Sequence, residues 1–444
     1  MIRYHARWIC PVSSAPFSDG TVAVENGRIA YVGPRSAAPR EGEALDLGDV
    51  ILTPGLVNAH CHLELTAMRG FLDGLAFREW ILRLTSARRA VLTPEMMMDA
   101  ARLGVVEGLQ HGITTFADTG DSGAGFDALL ELGARGISYR EVFGPDPSQC
   151  DEAIAGLVAK IEVMQRRATA LVRVGVSPHA PYTVSDPLFR ATATFARDRG
   201  LPLAVHVAES ALESDLVERG EGGFAEGLRS RGIAVSARAR TPIALMESMG
   251  VLGAQSLLIH CVRVDAEDVA AIAQHDCAVA HCPASNAKLG HGIAPLTQLL
   301  DAGIRVGLGS DSVASNDRMD MLDEARLAVL FAGAREGRHD ALASDRALSL
   351  ATLGGARALG IDETIGTLQI GKAADLAAFR VPEVRSPVHD PVSALIFAIA
   401  GQKADFVAVA GDVRVRDGQL VDGDAGLPAR VQACADLLQD WLVR

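Results

Sequence analysis

Three observations predict an α/β protein, a (β/α)8 barrel with a small β-sandwich domain formed by both chain termini. Eight short apolar segments alternate with helix-like stretches through the middle of the chain, the pattern of a parallel sheet that closes on itself. The residues able to do chemistry sit at the C-terminal ends of those segments, the rim where barrel strands converge on one mouth. Both ends of the chain instead show short strands and tight turns, with too few strands at either end for a core of its own.

Taken in order, residues 1–53 form the first part of the β-sandwich. Thr21–Glu25 runs into Asn26-Gly27, a strong hairpin signal, and then Arg28–Val32. Residues 54–364 form the barrel domain. Its strands are expected around Val57–His62, Ile113–Asp118, Ile137–Val142, Leu171–Ser177, Leu203–Val207, Leu257–Cys261, Ala278–Cys282 and Arg305–Asp311. Helices between them include Pro94–Gln110, with proline at its start and Gly112 past its end, and Pro187–Arg199 before Gly200. Two connections are long, Leu63–Leu92 and Ser210–Gln255. Such loops on the C-terminal face usually shape the substrate pocket. Residues 365–444 return to the sandwich through Leu376–Phe379 and the strand–turn–strand Phe406–Val415, and end in an amphipathic helix near Pro428–Val443.

Composition narrows the function classes. A formal net charge of -13 argues against nucleic acid and anionic membranes as partners. No apolar run approaches the ~18 residues of a spanning helix, and the first residues lack the pattern of a signal peptide. Seven cysteines, an odd number without regular spacing, suit free thiols in a reducing compartment. The expected location is cytoplasmic and the expected partner a small-molecule substrate.

His60 and His62 lie at i and i+2 on a strand and point the same way, while Cys61 points opposite. Alone, a His-x-His is as consistent with one buried and one exposed histidine as with a metal. The set decides: His206 ends the fifth strand and Asp311 the eighth, so three imidazoles and a carboxylate gather at one rim. Catalytic zinc takes three protein ligands and keeps a position open. Ferrous iron or manganese also suit these donors. A second metal needs a bridging ligand from the fourth strand, and Leu171–Ser177 offers neither lysine nor carboxylate, so one divalent ion is expected.

Glu209, three residues after His206, is the natural proton shuttle beside the metal; the bland alternative is a solvated glutamate opening a helix. His260 closes the sixth strand and either orients the reacting groups or ligates the metal. His179, in Ser177-Pro178-His179-Ala180-Pro181-Tyr182, is placed to grip substrate, and His281 at the end of strand seven either contacts substrate or supports a loop. Glu64 shares the period-two face of His60 and His62 and is placed to reach a substrate hydroxyl. His111 reads as a helix C-cap; Arg135, Arg140 and the arginines of 229–240 either meet a substrate carboxylate or, as the favoured reading, are solvated surface.

These pieces together resemble the amidohydrolase superfamily, in its cytosine deaminase and chlorohydrolase-like branch. The resemblance rests on Pro54-Gly55-Leu56-Val57-Asn58-Ala59-His60-Cys61-His62, Ser177–Tyr182, His206-Val207-Ala208-Glu209, His281-Cys282-Pro283-Ala284-Ser285-Asn286, Gly309-Ser310-Asp311 and Gly371-Lys372-Ala373-Ala374-Asp375, and covers nearly the whole chain. It implies one metal on His60, His62, His206 and Asp311, with Glu209 and His260 beside it and Asp311 helping to carry a proton. It also implies a homo-oligomer, since such proteins are often dimers or larger. Members that deaminate S-adenosylhomocysteine or methylthioadenosine usually carry Trp-Pro-x-Glu in the first long loop. Here that loop reads Phe77-Arg78-Glu79-Trp80-Ile81-Leu82-Arg83-Leu84. The His62-Leu63-Glu64-Leu65-Thr66 run and Trp80 look instead like aminodeoxyfutalosine deaminases, whose substrate belongs to menaquinone biosynthesis.

The reaction this implies is hydrolytic deamination of an aminated purine nucleoside-like ring. The alternatives are deamination of S-adenosylhomocysteine, methylthioadenosine, guanine or cytosine, hydrolysis of a carbon–chlorine bond or cyclic amide at the same site, and a silent metal-binding module. The His-x-Glu deaminase class is rejected, because no Pro-Cys-x-x-Cys accompanies His62-Leu63-Glu64.

Overall fold

The computed structural model describes residues 1–443. Eight parallel strands form one sheet: Leu56–Cys61, Ile113–Gly120, Arg135–Val142, Val172–Pro178, Leu203–Val207, Ser256–His260, Ala278–His281 and Arg305–Leu308. Neighbours in sequence are neighbours in the sheet, the order a right-handed (β/α)8 winding produces. The first and last strands meet where Cys61 bridges Asp311 and the Asp311 N–H donates to the His60 carbonyl at 2.9 Å. Closure therefore falls on two of the residues expected to bind metal. Ile113–Gly120 and Arg135–Val142 are buried along their whole length, as strands covered by helices on one side and a filled barrel on the other must be.

Helix Pro94–Gln110 starts as the sequence dictates, with the Thr93 hydroxyl accepting from the Met96 N–H and Pro94 in the first turn. His111 is its C-cap residue.

The terminal strands make a second sheet of nine strands. Val50–Pro54 from the N-terminal part pairs antiparallel with Leu376–Arg380 from the C-terminal part, so the two ends join by hydrogen bonds. The sheet curls on itself. Tyr4 on Ile2–Ile9 and Phe406 on Phe406–Val409 are three strand spacings apart along it, roughly 14 Å if flat, yet their rings are 4.9 Å apart. The last helix, Leu427–Leu442, packs through Val431, Cys434 and Leu438 on Leu84, Ala87 and Ala100 of the barrel's outer helices.

Arg135 overturns its reading as solvated surface. It is buried at the start of the third barrel strand and donates twice to Asp375, at 2.8 and 2.9 Å. Arg140 is buried as well. Arg135 was misread because its carboxylate partner, Asp375, comes from 240 residues further along the chain.

The two long connections meet over the barrel mouth. Helix Phe77–Val91 of the first touches helix Gly222–Arg229 of the second, with Phe77 edge-on to Phe224 at 6.1 Å and Arg78 Nε donating to the Gly223 carbonyl at 2.9 Å. Among the described residues no helix is long and apolar enough to cross a membrane.

Candidate active site

Ligand nitrogens of His60, His62 and His206 lie within 4.8 Å of one another. Nε2 of His60 is 3.2 Å from Asp311 Oδ1, and Nε2 of His62 is 3.5 Å from the same oxygen. These donors come from strands one, five and eight. His206 donates through Nδ1 to the His179 carbonyl at 3.1 Å, which leaves its Nε2 lone pair facing the cluster. The other Asp311 oxygen accepts from Ser285 at 2.5 Å and Ser315 at 3.0 Å, so the carboxylate is held on both sides.

Burial sets the charges. It pushes the imidazolium pKa down at His60, to about 3 at His62, and well down at His206, leaving neutral rings. Burial works the other way on Asp311, but its hydrogen bond with His60 and the polar surroundings of the neighbouring imidazoles hold the carboxyl well below its ordinary value. Three neutral nitrogens and one anionic oxygen are a fitting donor set for a divalent metal.

Glu209 and His260 stand beside that set. His260 Nε2 is 3.5 Å from Glu209 Oε1, and its Nδ1 is 2.9 Å from Asn286 Oδ1. A nitrogen of His260 also lies within 4.8 Å of donor atoms on His60 and Asp311. Burial pushes the Glu209 carboxyl up, yet His260 and His291 more than offset it and the net shift is down. Four residues at this rim sit on left-handed backbone: Ala208 at φ 52°, His260 at 77°, Cys261 at 46° and Asp311 at 56°. Such conformations are costly for residues with a Cβ and gather where a site demands them.

A cavity of about 840 Å³ opens above, within the range of small-molecule sites. Phe77, Trp80, Phe143, Tyr182 and Phe224 give it apolar walls, and Tyr182 stacks on Phe224 at 4.2 Å. His179 lies in this wall, its Nδ1 2.8 Å from the Thr183 hydroxyl and its ring 4.7 Å from His206. Trp80 also faces the cavity. Glu64 reaches the wall already engaged, accepting from Arg88 at 2.6 Å and from the Ser122 hydroxyl. Arg88 in turn pairs with Asp121.

His281 lies elsewhere. It is buried and does not line the cavity. Ala278, Ala280 and Cys282 share one buried cluster while Val279 joins another, so strand alternation turns His281 away from the Cys282 side.

Sequence reasoning passed over His291, whose Nε2 is 3.3 Å from Glu209 Oε1 and whose ring stands edge-on to Phe77 at 4.5 Å. Its flanking Gly290 and Gly292, both at positive φ, were the available signal of a special loop. Glu141, at the end of strand three, was also passed over. It lines the cavity with an oxygen close to His179 and His206.

Residues 51–423 match the model of the amidohydrolase family. The 5-methylthioadenosine/S-adenosylhomocysteine deaminase of Moorella thermoacetica is 33% identical over 425 residues, 94% of each chain. The solved adenosine deaminase of Xanthomonas campestris with bound zinc superposes with a TM-score of 0.88 at 28% identity, covering 99% of this chain and 98% of the other. Atrazine chlorohydrolase TrzN of Arthrobacter aurescens TC1, complexed with zinc, gives 0.85 at 27% identity, covering 99% and 100%. The chain belongs to the amidohydrolase family.

Proposed function

We propose that this chain is a zinc-dependent aminohydrolase that deaminates the adenine ring of a 5′-substituted nucleoside and releases ammonia. One observation carries the reading: Glu209 is buried beside the four-donor cluster, within 3.5 Å of His260 and 3.3 Å of His291. A proton shuttle needs this placement. His60, His62, His206 and Asp311 would hold the metal. When bound, zinc supplies a Lewis acid that lowers the pKa of water from about 15.7 to roughly 7.

The chain's own groups account for the rest. Glu209 accepts a proton from the attacking water and delivers it to a ring nitrogen, which makes the adjacent carbon electrophilic. His260 stabilises the oxygen that gains charge as the tetrahedral centre forms. Asp311 helps carry a proton to the amino group, and ammonia leaves. The aromatic walls suit a planar heterocycle, and the two long connections cover the mouth against bulk water.

Within this class aminodeoxyfutalosine is the first candidate, on the His62–Thr66 run and Trp80. S-adenosylhomocysteine and methylthioadenosine follow, on the names of the 33%-identical relatives. The test is ammonia release by zinc-loaded protein from these three, adenosine, guanine and cytosine. Preference for one substituted adenine nucleoside is the expected result. No ammonia from any, with chloride release from a chlorotriazine, would replace deamination by carbon–chlorine hydrolysis, which the likeness to TrzN keeps as the second reading.

A further inference from the structure

We propose that Glu213 is a positioning residue for Glu209: its carboxylate clamps two consecutive backbone amides and so fixes the turn that presents Glu209 to the site. The inference rests on reading Glu209 as the proton shuttle. Strand five ends at Val207, and beyond it the amides of Ala208 and Glu209 have left the strand ladder. Both are satisfied by one side chain. The Ala208 N–H donates to Glu213 Oε1 and the Glu209 N–H to Oε2, each at 2.8 Å. Successive amides beside a left-handed residue form a concavity suited to an anion, and Ala208 at φ 52° is that residue.

The turn has a geometric consequence. Along a strand, residues three apart point to opposite sides. His206 and Glu209 nonetheless face the same cluster, because left-handed Ala208 redirects the chain between them. Without a partner for the two amides this conformation would carry both its own strain and the cost of buried, unpaired donors.

Glu213 has no other evident role. It is fully buried and forms no ion pair among the described residues. Its own N–H is capped by Ser210 Oγ at 3.2 Å, which closes the segment Ser210–Glu213 against the end of the strand. A carboxyl placed in the interior with only main-chain partners is expensive to bury in its charged form, and burial pushes it up to about 8; what it secures here is the position of the shuttle.

The test compares zinc-loaded wild type with Glu213→Gln, Glu213→Ala and Glu209→Gln. Glu213→Gln keeps the shape and one acceptor but turns an NH₂ toward the second amide, and it is the variant to read if Glu213→Ala does not fold. In Glu213→Gln we expect zinc content and KM to stay near wild type, kcat to fall by up to about 10²-fold, the scale of a small misplacement of a catalytic group, and the acid limb of the kcat–pH profile to move. Crystal structures give a readout that needs no substrate: the Glu209 carboxylate should leave its place beside His260. An unmoved Glu209 with unchanged kcat, or losses confined to thermal stability, would overturn the proposal. Full turnover in Glu209→Gln would instead remove the shuttle role on which it rests.

Discussion

Nε2 of His62 and Nε2 of His206 face each other 3.3 Å apart. The Nδ1 of His206 is committed to the His179 carbonyl, so its Nε2 carries a lone pair and no proton. Two neutral rings aimed at one point beside an ionised Asp311 are arranged to share a cation. Metal content measured by mass spectrometry should therefore be one divalent ion per chain in wild type and should be lost in His206→Ala. His260→Ala should keep it, because His260 is engaged with Asn286 and Glu209. Equal metal content in wild type and His206→Ala would remove His206 from the ligand set.

Glu209 is predicted to act on protons and not on the metal. Replacement by glutamine preserves size and removes the basic oxygen. Turnover in Glu209→Gln should fall by about 10²–10⁴-fold, the usual share of general acid–base catalysis, at unchanged zinc content. A steady-state assay on metal-verified protein decides the matter.

How much of this was legible in the sequence depended on how local the signal was. All eight barrel strands were, because each is a short apolar run bounded by turn residues, and Pro94–Gln110 was, because its caps are written in Thr93, Pro94 and Gly112. The four residues proposed as ligands were legible because each sits at or just past the C-terminal end of a strand: His60 and His206 within one, His62 one residue and Asp311 three residues beyond. Glu64 was read by extending strand alternation past Cys61, but the chain turns into a short helix over Leu63–Met68, and Glu64 meets Arg88. His291, Glu141 and Glu213 carried no such local pattern. Their positions follow from how distant loops and strands assemble, and a single sequence does not print that.

Gly309 precedes Ser310-Asp311 at the closure of the barrel. A Cβ there would lie 2.9 Å from the Cβ of His60, 3.0 Å from its backbone nitrogen and 3.0 Å from Cys282 Sγ. None is the free end of a flexible side chain, so strand one must shift. Gly309→Ala should weaken zinc binding by moving His60, and metal titration should show a raised Kd in a protein that is still folded. An unchanged Kd would mean that the rim tolerates the shift.

Glu324 is buried on the helix Met321–Glu336, accepting from the Ala284 N–H at 3.2 Å and the Asn316 amide at 2.5 Å. Burial pushes its carboxyl up to about 8 from an ordinary 4.5. The folded state thus holds this proton more tightly than the unfolded chain. Its stabilising contribution is complete below the unfolded value and is lost as pH rises through the folded one. Glu324→Gln mimics the protonated form. The Tm of wild type should fall relative to that of Glu324→Gln as pH goes from about 5 to about 8. Parallel Tm curves for the two proteins would show that Glu324 does not titrate in this window.

The pair Arg135–Asp375 joins the barrel to the terminal sheet at the end of the barrel remote from the proposed metal ligands, since Arg135 begins strand three and those residues lie at the C-terminal rim. Asp375 also accepts from the Ala410 N–H at 2.8 Å, so one carboxylate serves a guanidinium and the turn that follows strand Phe406–Val409 of the second sheet. With side-chain exposures of 8% and 2%, removing one partner leaves the other charge buried and unpaired. Asp375→Ala should lower stability by about 3–5 kcal/mol, seen as a lower denaturation midpoint. Zinc content and turnover per folded molecule should hold, because nothing at the ligand rim has moved. The double variant Arg135→Met/Asp375→Leu should recover much of the loss, since a buried ion pair contributes little over a well-packed apolar one. A double variant no more stable than Asp375→Ala would mean instead that the two sheets depend on the geometry of this pair, with the Ala410 amide as the part that an apolar side chain cannot replace.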